Sequence, residues 1–273
     1  MKKFLLIFCI NLTIANAQST SYSVYDDDPS PAKFIMNLDI FQLDVGLDVA
    51  SANFGIWGSY QVNKLIGVDY LVEKSYYTSH RKGNKEAPWN FDFEAGASFN
   101  LLSFNREKKI KLQVDYKDNG SSSTTTTVKV LGTKLNQFDA RGGFIFKRNP
   151  IKVSGDTLIA GQNRGGLYAG INFSSFKNVA AKVDGYGKRR ESGTLAIYAD
   201  LIFMPMHSIS SLNTPPVGDY GALGYRVGFS IFESESASDG GGATITQNFQ
   251  IGKRPYSGFF LTYGIGVSIA IKN

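Results

Sequence analysis

The sequence predicts an all-β protein: an antiparallel transmembrane β-barrel of about 12 strands (range 10 to 14) built from residues 34–273. Three observations lead there. Apolar and polar residues alternate over long stretches, as in WNFDFEAGASFNL at 89–101, where Trp89, Phe91, Phe93, Ala95, Ala97, Phe99 and Leu101 share one parity. Successive strand side chains point to opposite faces, so such a strand is greasy on one side and polar on the other. Several of these segments run 11 to 14 residues, and a tilted strand needs about 9–11 to cross a bilayer. Aromatic residues also gather near expected strand ends. Tyr76, Tyr77 and Trp89 flank one loop, and Tyr256, Phe259 and Phe260 flank another, as in a membrane-interface girdle. A soluble sandwich alternates in the same way, because it buries one face and wets the other. It is the alternative that the structure must decide.

Composition agrees with an exported β protein. Aromatics make up 13% and there are 29 glycines against 8 prolines, a mix that suits strands and turns better than helices. Lys2 and Lys3 precede the apolar run FLLIFCINLTIA, and Ala15-Asn16-Ala17 closes it before Gln18. That order reads as a signal peptide over residues 1–17, too short and too polar at Asn11 and Thr13 to span a membrane. Cys9 is the sole cysteine and would leave with the leader, so the mature chain is expected to lack disulfides. Formal charge is +6, or about +4 once Lys2 and Lys3 are removed. That bias is too mild to point to nucleic acid.

Residues 18–33, QSTSYSVYDDDPSPAK, read as an extended periplasmic lead-in. The first strand carries Phe34, Met36, Leu38 and Ile40 on one parity and Phe41, Leu43, Val45, Leu47 and Val49 on the other. A β-bulge near Ile40–Phe41 would restore one continuous face. Strands follow around Phe54–Val62 and Ile66–Val72, then at 89–101. After NREKK comes a strand at Ile110–Tyr116, then a weaker one at Thr124–Lys134 and another at Phe138–Phe146. The later ones lie at Leu167–Phe173, Leu195–Phe203, Leu223–Ile231, Thr244–Gly252 and Leu261–Ile271. Residues 148–164, 175–193 and 206–220 are left as three long connections in succession. This breaks the short–long alternation of barrel loops unless IKVSGDTLIAG hides a hairpin.

The leader ending ANA-Gln, followed by aromatic and glycine alternation to the C-terminus, resembles small outer-membrane β-barrel proteins of Bacteroidetes-type bacteria. The resemblance covers nearly the whole mature chain and implies residence in the bacterial outer membrane. It departs at the end, where such barrels commonly finish on an aromatic residue and this chain has Ile269-Ala270-Ile271-Lys272-Asn273.

No catalytic, cofactor or metal constellation emerges, and the chain is expected not to be an enzyme. In barrel lipid hydrolases a His and a Ser two residues apart share a strand face. Here His207 is followed by Ser208, Ile209 and Ser210, which puts the serines at odd spacings. Asp26-Asp27-Asp28 lacks the spaced ligands of a calcium loop and reads as a solvated acidic lead-in. Gly264-x-Gly266 opens no helix and is no phosphate loop. Arg81, Lys82 and Lys85 are placed to contact lipopolysaccharide phosphates, with Lys188-Arg189-Arg190 on the periplasmic side. The polar parity carries the charges of the lumen: Asp69, Asp92, Glu94, Asp139, Arg141, Asp200 and Arg226, with Glu73, Lys111 and Asp115. Such charges form either a plugging ion-pair network or a thin selective pore. Three roles are therefore in view: a structural or accessory subunit binding a partner protein or surface lipid through its loops, a narrow solute or ion channel, and a lipid-modifying enzyme using His207.

Overall fold

The computed structural model describes residues 20–47, 50–79, 89–118, 123–154, 158–210, 221–236 and 244–271. These form one 11-stranded antiparallel sheet: β1 (Tyr22–Asp26), β2 (Phe34–Gly46), β3 (Ala50–Gln61), β4 (Ile66–Thr78), β5 (Phe91–Asp118), β6 (Ser123–Ser154), β7 (Leu158–Val183), β8 (Gly187–Ser210), β9 (Leu223–Ser236), β10 (Thr244–Arg254) and β11 (Gly258–Ile271). Strands β2 to β11 pair in a ring, with β11 on β2 and β7 on β8. The barrel therefore has ten strands, and β1 is an additional strand paired with the end of β7.

The outer face of the ring decides between sandwich and membrane barrel. Each of the ten strands turns large apolar side chains outward and leaves them uncovered, among them Leu43, Val68, Phe93, Leu167, Leu201 and Ile265. In water so large an apolar surface would drive association. A closed sheet with a lipid-facing band has no such difficulty, since every strand is paired and the hydrocarbon covers the band. This is a transmembrane barrel. The bulge expected in the first strand is present. Ile40 falls between Asp39 and Phe41 in the register against β11, so Met36, Phe41, Leu43 and Val45 share one outward face.

The count of about 12 strands is corrected to ten in the barrel, because two expected loops are continuous strand. NREKK lies inside β5, and the turn near Leu135 lies inside β6. Both are paired throughout, with Arg106 opposite Lys134 and Asn105 opposite Leu135. The charges of NREKK read as a loop, but a strand leaving the bilayer is wetted on both faces and tolerates them. The long connections shrink for the same reason. Residues 151–154 pair with 158–160 across the IKVSGDTLIAG segment, 175–193 is the β7–β8 hairpin, and 206–210 is the end of β8. ASAN, turn-like in composition, opens β3.

The overlong β5–β6 and β7–β8 hairpins meet outside the barrel wall, at the end where β1 lies. Beyond the Lys134–Lys177 pair β6 leaves β7, and β1 takes its place with Val24 opposite Ala181. The freed β5–β6 arm folds over the outer face of β7 and β8. Ile110, Leu112, Val114 and Val130 from the arm pack on Val179, Ala181 and Val183 in a small apolar core. Arg189 of β8 donates its Nε and Nη2 hydrogens to the Val114 carbonyl at 3.2 and 2.9 Å. Gly132 lies against Val179 so closely that a side chain there would collide with it. Ile110–Tyr116, expected as a separate membrane strand, is thus the extramembrane core of the arm. A lipid-facing strand and one half of a two-layer sheet show identical alternation.

Within residues 18–33, β1 and its acidic run pin this assembly. Asp26 takes Nη1 of Arg190 at 2.9 Å, and Asp27 accepts from the Thr133 amide and hydroxyl at 2.7 and 2.8 Å. The triplet expected as a solvated acidic lead-in is therefore a latch between β1, the arm and β8. The span assigned to the signal peptide lies outside the described residues.

The arm and the barrel have separate cores, which sets an expected outcome for Leu112→Ala. Deleting a fully buried leucine costs about 2–5 kcal/mol, so limited proteolysis should cut the variant within 104–134 while the barrel keeps its heat-resistant migration on gels. Loss of the barrel together with the arm would show that the two cores are one.

Candidate functional site

The inward parity of a ten-stranded ring converges on a narrow space. Eight strands are just filled by side chains, so ten leave room for a further layer of large polar groups. That layer centres on Arg226 of β9. Its Nη1 and Nη2 donate to the two Glu94 carboxylate oxygens of β5 at 2.6 and 2.8 Å, and its Nε donates to Asp200 Oδ2 of β8 at 2.7 Å. Asp200 and Arg226 are direct register partners, whereas Glu94 reaches across the bore from four strands away in the ring. All three side chains are buried. The planar guanidinium is suited to this, since its fixed donors serve two carboxylates at once.

Arg141 joins from β6, with Nε 3.4 Å from Asp200 Oδ1. Both guanidinium groups lie over the same two rings: Arg141 is 4.6 Å from the Tyr198 centroid and 5.3 Å from Tyr168, and Arg226 is 5.6 and 5.1 Å from them. Such contacts strengthen when desolvated. Two glycines admit the rings, because a side chain at Gly96 would strike the Tyr168 hydroxyl and one at Gly228 the Tyr198 ring.

Three further polar groups line the wall. Lys147 donates to Asp92 at 2.5 Å and stands 3.8 Å from Glu94. Arg254 donates to both Asp44 oxygens at 2.7 Å, and Gln42 donates to Glu73 at 2.8 Å. Beside these pairs, behind Arg141, one part of the wall is apolar. Ile145, Ile202 and Met204 are inward and almost wholly buried, packed with Tyr168 and covered by Tyr256.

The open space lies on the β1 side. A cavity of about 210 Å³ runs from Pro31, Ala32 and Leu65 at that end to Arg141, Glu94 and Arg226 at its floor. Beyond the floor, the space among Gln42, Glu73, Asp92, Lys147 and Arg254 is about 10 Å³, the volume of a single water.

The expected lumen charges fall as follows. Asp92, Glu94, Arg141, Asp200 and Arg226 belong to the network just described. Asp69 lines the cavity, and Asp139 accepts from Asn100 and Asn172 at 2.9 and 3.0 Å on its wall. Lys111 and Asp115 are corrected: they lie on the arm, outside the bore. Residue order alone misses Lys147, Arg254 and Arg164, because the alternation fades at Phe146 and Gly252 and 148–164 has the composition of a loop. Extending the parity of Arg141 by six residues finds Lys147.

Of the expected girdle, Tyr76, Tyr77, Trp89 and Phe259 are exposed at the end of the barrel opposite β1. Tyr256 turns inward instead. Its φ of 59° places it in the Pro255–Ser257 turn, where its ring stacks on His207 at 4.1 Å. His207 is in strand β8, opposite Arg164, and its Nε2 lies 2.9 Å from Gln162 Nε2. Ser208 belongs to the opposite face. Arg81, Lys82 and Lys85 lie outside the described residues.

No family model matches the chain, and no curated protein does. Among solved structures, OmpT of Vibrio cholerae, an outer membrane protein folded in vitro, is 8% identical over 90% of this chain and 98% of its own, with a TM-score of 0.18. Its trimer form is 11% identical over 91% and 99%, and its loop L8 deletion mutant 10% identical over 90% and 98%, each also at 0.18. At such TM-scores the likeness carries no argument, and the fold rests on the strand pairing and the two faces described above.

Removing one partner of a buried ion pair strands the other, at about 3–5 kcal/mol. Arg226→Met should therefore lower the urea midpoint of the detergent-solubilised barrel. Adding Glu94→Gln to it should recover part of the loss, because Lys147 keeps Asp92 and Arg141 keeps Asp200. Additive losses in the double variant would mean that Arg226 and Glu94 do not act as one unit.

Proposed function

We propose that this chain is a non-enzymatic outer-membrane β-barrel that works as a structural or accessory subunit, its lumen shut, engaging a partner protein or surface lipid through the parts outside the bilayer. The observation that carries this reading is the bore. From Arg141 and Arg226 to Lys147 and Arg254 each cation is paired with an inward carboxylate, and the space beyond the cavity floor is that of one water. The arm, its apolar core and the Asp26–Asp27 latch support the accessory role, since they commit many residues to a rigid platform beyond the lipid. The apolar belt and the leader support placement in a bacterial outer membrane after export.

A narrow channel is the second reading, favoured by the cavity on the β1 side. Planar bilayers separate the two. The wild-type protein should give no steady openings, whereas replacing Lys147, Met204 and Arg226 together by alanine should produce them. Steady wild-type conductance would overturn the closed-scaffold reading. For the enzyme reading, His207 faces Gln162 and Tyr256 rather than a serine of its own strand, and lipid hydrolysis that disappears in His207→Ala would favour it. The accessory role itself predicts a stoichiometric protein recovered with the barrel from detergent-solubilised membranes.

A further inference from the structure

Charge along the cavity on the β1 side does not balance. Each cation of the network already has a carboxylate: Arg141 and Arg226 share Glu94 and Asp200, Lys147 has Asp92, and Arg254 has Asp44. Asp69, Glu73 and Asp139 are left over, and all three line the cavity. Glu73 accepts from Gln42, and Asp139 from Asn100 and Asn172, which are neutral amides. The cation whose field reaches Asp69 is Arg141, which Asp200 already holds. A second observation lies on the same wall. Asn37, Thr246 and Asn248 line the cavity, each more than nine-tenths buried, and Asn37 Oδ1, Thr246 Oγ1 and Asn248 Oδ1 have no hydrogen-bond partner. Arg141 Nε and Trp57 Nε1 are the donors there without a hydrogen bond, and a carboxylate stands beside each, Asp200 and Asp39. What the wall lacks is positive charge and N–H donors, and both shortages are costly away from water.

We infer that this cavity is a binding site for a linear organic cation that carries ammonium or guanidinium groups at both ends. The three carboxylates stand in file from mouth to floor. On β5 the register partners of Asp139, Asp69 and Glu73 are Asn100, Gly96 and Asp92, each roughly 13 Å along the strand from the next. Charges so spaced match a long ligand with separated cations and a stem between them. Trp57, Tyr70 and Phe176 also line the cavity, and aromatic rings suit both an alkyl stem and a cation. Size agrees, since the cavity of about 210 Å³ exceeds the roughly 150 Å³ that admits benzene. A metal ion fits less well. Among the described residues no group of three His, Cys, Asp or Glu side chains could hold one, whereas calcium gathers about six to eight oxygens around a single point. A neutral sugar would leave the carboxylates without counter-charge. The site rests on the closed floor of the cavity but not on the accessory role.

The test is calorimetric titration of the full chain in neutral detergent at pH 7 with spermidine, propylamine, maltose or calcium chloride. Spermidine should bind once per chain, propylamine should bind more weakly, and maltose and calcium should not displace spermidine. Asp69→Asn/Asp139→Asn should weaken spermidine at least about tenfold, a modest share of what a partly desolvated ion pair supplies. Glu107→Gln/Asp115→Asn removes the same charge from the arm, outside the bore, and should leave the affinity unchanged. Heat-resistant migration on gels reports that each variant is folded. Asp69→Asn alone should weaken spermidine in the same direction, and it serves where the double variant does not fold. No binding to wild type, as when the three carboxylates simply carry protons, would overturn the site. So would equal loss in the lumen and arm variants, or displacement of spermidine by calcium. Spermidine binding accompanied by steady conductance in planar bilayers would instead overturn the closed floor and leave the ligand class standing.

Discussion

The bidentate grip of Arg226 on Glu94, with Asp200 on its third side, is the constraint around which the rest of the barrel is arranged. It ties β9 to β5 across the bore and to β8 beside it. A charge buried this deeply is tolerable only when nearly every donor and acceptor is used. That requirement sets the inward neighbours. Tyr168 and Tyr198 cover the guanidinium faces, Arg141 stands 3.4 Å from the second oxygen of Asp200, and Lys147 shares Glu94 with Arg226. A wider ring would separate Glu94 from Arg226, and a narrower one would leave no room for the tyrosines.

The outer surface follows a different constraint. Inside the bilayer every backbone group must be paired within the sheet, and ten strands in a closed ring accomplish this. Outside it the same strands continue with water available, and side-chain preferences change. β5 passes from the lipid-facing Phe99 and Leu101 through the charged NREKK into Ile110, Leu112 and Val114, whose apolar face is now buried against β7 and β8. One strand thus serves two solvents, and the arm's small core sits beside a membrane belt without being part of it.

Much of this is legible in residue order, and the failures have physical causes. The bulge at Ile40 is readable because an apolar face that switches parity within one strand needs an inserted residue to stay continuous. Asp92, Glu94, Arg141, Asp200 and Arg226 are readable as lumen groups because a charge on the polar parity of a lipid-facing strand has nowhere else to point. The strand count is not, because NREKK has the composition of a loop and strand pairing is a long-range fact. Lys147, Arg254 and Arg164 are lost with the strand ends. Tyr256 reads as part of the girdle because a turn aromatic beside a strand end is usually outward, and only its positive φ and the stack on His207 turn it into the bore.

The order of residues by itself determined the class of the protein: long alternating strands, an apolar face for lipid and a charged face for a narrow bore. Period-2 alternation specifies faces, and faces are local. Tertiary structure alone decided which charges meet inside the bore, and that WNFDFEAGASFNL runs on for many more residues into an arm outside the membrane. Those outcomes depend on register between strands far apart in sequence. Alternation carries no register, so Glu94 could be placed on the inner wall, but not in the hand of Arg226.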